Sequence, residues 1–110
     1  MSSHLHTYCG PILVIQAPCD AVHALFTDEM YDRLSVQSLE SGPKDTAYLL
    51  PNTLGPREFS WAERDDDGFT AVHPAEEVAW FEKEFAEEIA FFKEDFGVVS
   101  VQFGVVRSYR

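Results

Sequence analysis

The stretch from Pro74 to Gly97 does most to limit how this chain can fold. Pro74 suits the first position of a helix, Glu76 and Glu77 complement the positive end of its dipole, and Gly97 suits its C-terminal cap. Placed at about 100° per residue, Val78, Phe81, Phe85, Ile89, Phe92 and Phe96 fall within a stripe roughly 80° wide. A helix over 74–96 with that stripe needs an apolar layer to lie on. Trp80 and Phe91 are eleven residues apart and fall together on the opposite side, about 16 Å apart along the axis, with Glu84 and Glu87 between them. Either a second layer covers these two aromatics, or they form an exposed acidic and aromatic surface of the kind that anchors protein recognition.

The other half of the fold comes from residues that alternate or run apolar. Ile12-Leu13-Val14-Ile15, after the Gly10-Pro11 break, is continuous and apolar, the pattern of a central strand buried on both faces. Val99, Val101, Phe103 and Val105 alternate with Ser100, Gln102 and Gly104, which predicts a strand with one buried face. Asp20 is placed to cap a helix over about 20–34, where Val22, Leu25, Phe26, Met30 and Leu34 recur at helical spacing. Residues 35–73 read as short strands broken at Gly42-Pro43, Pro51-Asn52, Gly55-Pro56 and Asp67-Gly68, including a hairpin of 58–63 with 69–72. The expected architecture is a two-layer α+β fold. An antiparallel or mixed sheet of about five strands is packed by two helices, about 20–34 and 74–96, in a single domain spanning 1–110.

Charge narrows the partners. The chain carries 19 acidic and 8 basic residues, a formal net charge of -11. Glu58, Glu63, Asp65, Asp66, Asp67, Glu76, Glu77, Glu82, Glu84, Glu87, Glu88, Glu94 and Asp95 crowd one stretch of sequence against only Arg64, Lys83 and Lys93. Direct binding to nucleic acid or to an anionic membrane depends on neutralising phosphates with Lys and Arg, so neither is expected. A basic protein, or a second copy of the chain, is the expected partner. The opening Met1-Ser2-Ser3-His4-Leu5-His6 has no basic region followed by an apolar one, and no run approaches the ~18 apolar residues of a membrane span. A cytoplasmic location is the corresponding expectation.

Motifs for chemistry are sparse. His4 and His6 share one face of an extended segment, roughly 6.6 Å apart, and are weak candidates for a metal, with no third ligand in view. Cys9 and Cys19 fit neither a zinc pattern nor a disulfide scaffold and read as thiols in a reducing compartment. Glu63-x-Asp65-x-Asp67-Gly68 resembles half of a calcium loop, but Pro74 stands where the bidentate Glu would be required. Glu84 and Glu88 are one helical turn apart, yet a carboxylate site needs a second element to face them. No nucleophile elbow, phosphate loop or dinucleotide fingerprint is present, and no cofactor is expected.

Three functional readings follow. The leading one is a non-enzymatic interaction module using Trp80, Glu84, Glu87 and Phe91, in one form imitating nucleic-acid charge. The alternatives are a small enzyme or ligand-binding domain with a site near His4, His6 and Cys9, and a homo-oligomeric structural or accessory protein.

Overall fold

The apolar run at residues 12–15 is the middle of the sheet. A computed structural model describes residues 5–37, 45–52 and 72–109, with side chains for 8–37, 45–52 and 72–107. The strands are β1 (Leu5–Ile15), β2 (Leu34–Gln37), β3 (Ala47–Pro51) and β4 (Val99–Tyr109). They form an antiparallel sheet in the order β2-β3-β1-β4. The helices are α1 (Cys19–Leu25), α2 (Asp28–Arg33), α3 (Pro74–Glu84) and α4 (Ala86–Phe96). The fold is α+β, with four strands among the described residues where about five were expected. The expected hairpin of 58–63 with 69–72 and the acidic turn around Asp67 lie outside the described residues.

Strand alternation sorts β1 between two apolar clusters. Leu13 and Ile15 join Ala47, Leu49 and Leu34 beneath Phe81, Phe85 and Phe92. Tyr8, Ile12 and Val14 face the other way with Leu50 and Val106. β1 runs unbroken through Gly10-Pro11, which the sequence suggested as an interruption. Pro11 pairs with Phe103 of β4, whereas the ladder to β3 spans only Leu13 to Ile15, so the donor that proline lacks is not required on that side.

Both expected helices are divided. The one expected over about 20–34 breaks at Phe26-Thr27, and its last residue, Leu34, opens β2. Thr27 is extended (φ −93°, ψ 166°), and its hydroxyl accepts from the Met30 amide at 3.3 Å, so a fresh N-cap outcompetes continuation of α1. Asp20 lies inside the first turn of α1, behind Pro18 at the N-cap. The expected helix over 74–96 is jointed at Phe85 (φ −110°, ψ 26°), although Phe85 N–H still donates to Phe81 C=O and Ile89 N–H to Phe85 C=O, each at 2.9 Å. At the start of α3 the buried Glu77 carboxylate accepts the His73 N–H at 2.9 Å, satisfying one of the orphan amide groups of a helix start.

Gly97 ends α4 in a tighter turn than a left-handed cap. Its φ of 78° and ψ of −47° let Val98 N–H donate back to Phe96 C=O at 2.9 Å, a γ-turn of the rare positive-φ form. The chain therefore reverses from α4 into β4 within two residues. This reversal lays α4 alongside β4 and β1 and sets the direction of its two flanks.

Candidate functional site

The corner between α1 and α2 and the flank of α4 meet through aromatic packing. Phe26 lies 5.6 Å, centroid to centroid, from Phe92 and 4.9 Å from Tyr31, while His23 Nδ1 is 3.1 Å from the Tyr31 hydroxyl. Asn52 fixes the end of α2 by donating from its side chain to Tyr31 C=O at 3.0 Å and from its amide to Arg33 C=O at 2.9 Å. α2 is thus held beside α4 by apolar contact on one side and by β3 on the other.

Between α2 and α4 lies an open cleft of about 240 Å³, lined by Thr27, Glu29, Met30, Arg33, Glu87, Glu88 and Phe91. Phe91 is 37% exposed there, a large apolar ring held at the surface. Met30 is partly buried against the core, and Glu29 and Glu87 are exposed at the rim. One wall is organised by Arg33. Its Nη2 donates to Glu84 C=O at 2.6 Å and stands 3.7 Å from the Glu84 carboxylate. Its Nε is 3.2 Å from Glu88 Oε2, and its guanidinium carbon is 4.8 Å from the centre of the Phe85 ring.

These contacts divide the charges of the cleft into two kinds. Glu88 is only 7% exposed, and Arg33 is its counter-charge. A carboxylate buried this far needs such a partner, because desolvation penalises an unpaired ion by several kcal/mol. Arg33 is therefore committed to Glu88, to Glu84 and to the Phe85 face. Among the described residues no ion pair engages Glu29 or Glu87, so the rim of the cleft keeps a negative potential.

The structure places the four expected surface residues in two groups. Glu87 and Phe91 line the cleft, and Glu84 adjoins it through Arg33. Trp80 is partly buried, edge-on to Phe81 and Phe85 at 6.4 and 6.0 Å, and packs against both apolar clusters. Its ring is a bridge within the chain. Arg33 and Glu29 are cleft residues that the sequence did not single out, while Met30 was expected on an apolar helix stripe and Glu88 only as a carboxylate one turn from Glu84. For α2 the signal was present, since Thr27 followed by Asp28 and Glu29 is a helix start, but its approach to α4 is a tertiary fact.

Neither Cys9 nor Cys19 lines this cleft. His4 and the side chain of His6 lie outside the described residues. Cys9 is a partly buried thiol on β1, and Cys19 Sγ donates to Gln37 C=O at 3.5 Å. Among the described residues no three His, Cys, Asp or Glu side chains are grouped as a metal site requires, and no helix is long and apolar enough to cross a membrane. Comparison with protein families, curated proteins and solved structures finds no match to this chain.

Proposed function

We propose that this protein is a non-catalytic interaction module that takes a basic segment of a partner protein into the cleft between α2 and α4. The observation that carries the reading is the pairing of an exposed Phe91 with a carboxylate rim whose one cation among the described residues, Arg33, is already committed. A Lys or Arg side chain suits that combination, since its aliphatic stem packs on Phe91 and Met30 while its charged head stands between Glu29 and Glu87. The volume also favours a single side chain. About 240 Å³ is below the roughly 300–1,000 Å³ usual for small-molecule pockets. The formal charge of -11 adds long-range attraction for a basic partner and speeds encounter at low salt. The same field suits a partner surface that otherwise carries nucleic acid, with this chain imitating phosphate charge.

Fluorescence anisotropy with a labelled Arg/Lys-rich peptide, titrated at several salt concentrations, tests the reading. The wild type should bind with an affinity that falls with salt, and Phe91→Ala and Glu29→Gln/Glu87→Gln should each weaken it about tenfold. Asp45→Asn/Glu76→Gln removes the same charge at exposed positions outside the cleft lining and serves as the control. If that control weakens binding as much as the cleft variants do, the peptide is following net charge and the cleft has no special role.

A further inference from the structure

The flank of α4 that faces away from this cleft carries a second surface, independent of the reading above. We infer that two copies of this chain associate there, through the outer edge of β4 and the adjoining side of α3 and α4, about a two-fold axis.

Among the described strands β4 is at the edge of the sheet. It pairs with β1 over eleven residues in unbroken register, and among the described residues its other side has no strand partner. Such an edge presents a row of backbone donors and acceptors, and proteins ordinarily blunt it with Pro, Lys, a bulge or a very short strand. β4 (VSVQFGVVRSY) has no Pro, no Lys and no bulge, and Arg107 is its one charged residue. The opposite edge, β2, is only four residues long. Val98 and Val105 beside the β4 edge are 63% and 50% exposed.

Next to this edge an open groove of about 450 Å³ is floored by Ile89, Val99 and Val101, with Ala86 and Ala90 exposed along its helical wall. Glu82, near the end of α3, stands toward one end of that wall and Lys93, on α4, toward the other, eleven residues apart along the chain. Among the described residues no ion pair within the chain engages either of them. This layout is complementary to itself. An antiparallel approach of two such helical walls, centred between Ala86 and Ala90, sets each Glu82 against the other copy's Lys93 and brings the small alanine side chains together. A two-fold axis requires this kind of reciprocity, in which a patch meets its own image. The same approach runs β4 antiparallel to its copy and extends the sheet across the axis.

Charge decides for a second copy over a basic partner on this flank. The chain as a whole is strongly acidic, but the groove holds one acid and one base. It offers a cation no net attraction, and it lets two like-charged molecules meet where their repulsion is least.

Sedimentation velocity on the full chain across a concentration series tests this inference, with circular dichroism verifying the fold of each variant. The wild type should form a dimer. Ala90→Arg, at an exposed helical position, should weaken it at least tenfold, as should Glu82→Lys or Lys93→Glu alone, since each single reversal opposes like charges. The double variant Glu82→Lys/Lys93→Glu should restore the wild-type dimer. A wild type that is monomeric at every concentration overturns the inference. So does a dimer indifferent to Ala90→Arg, or a double reversal that dimerises no better than the single ones.

Discussion

Replacing Arg33 with Met tests whether the α2–α4 junction depends on charge. Met keeps much of the apolar stem that packs near Phe85 and removes the guanidinium, leaving Glu88 buried without its counter-ion. Two unit charges 3.2 Å apart attract by about 5 kcal/mol at an effective dielectric of 20. The Arg33 side chain is 43% exposed, so water screens the pair and more than half of that figure is lost, leaving about 2 kcal/mol. The contact with the Phe85 ring adds about 0.5–1 kcal/mol. Arg33→Met should therefore destabilise the fold by about 2–3 kcal/mol. Glu88→Gln should cost only about 1 kcal/mol, because it leaves no buried charge and Arg33 retains the Glu84 carbonyl and solvent. The diagnostic value is the double variant, which should be more stable than Arg33→Met alone by about 1 kcal/mol, since the isolated charge is gone. Urea unfolding followed by far-ultraviolet circular dichroism measures all three, and equal slopes establish that the same transition is compared. An Arg33→Met variant within about 0.5 kcal/mol of wild type would falsify the reasoning, as would two strictly additive effects.

Four further substitutions separate core, surface and backbone contributions. Phe92→Ala should destabilise by about 3–5 kcal/mol and Phe91→Ala by less than about 1 kcal/mol, although the two are neighbours in sequence, because one ring is sealed in the core and the other is at the cleft; paired urea titrations give both values. Trp80→Ala should cost about 2–3 kcal/mol in the same measurement, less than a fully buried aromatic but well above a surface change, since its ring joins the two apolar clusters. Gly97→Ala should cost about 1–3 kcal/mol from backbone conformation alone, because an added Cβ meets nothing within 4 Å and φ stands at 78°; a change below about 0.5 kcal/mol would mean that the turn relaxes freely.

The layers of this fold were legible in the sequence because each is written in local periodicity. The Phe81, Phe85 and Phe92 stripe packs the sheet as its spacing predicts, and Ile12 to Ile15 is buried on both sides. Boundaries were less legible where two local preferences compete. Thr27 is both a tolerable helix residue and a good cap, and capping prevails once Phe26 is drawn into contact with Phe92 and Tyr31. The projection that set Trp80 beside Phe91 treated each residue as a point on a cylinder. An indole is long enough to reach back from the flank of α3 to Phe81 and Phe85, so its direction on the wheel did not determine what it touches. The cleft was only half legible. Glu87 and Phe91 share a helical face in any reading, but Arg33 reaches Glu84 and Glu88 across some fifty positions of sequence, which no local pattern encodes.

The ladder between β1 and β4 joins Leu5 to Tyr109 and continues without a break to Ile15 and Val99. Among the described strands the longest pairing is thus also the one between the segments farthest apart in sequence, and closing it is entropically costly. During synthesis β1, with its run from Ile12 to Ile15, emerges early and must wait for β4 before this ladder can form. A nascent chain halted before Val99 would expose those residues on a strand edge, the kind of surface that chaperones hold and that aggregation exploits. The order of synthesis makes the interval just before β4 appears a risky one for this chain.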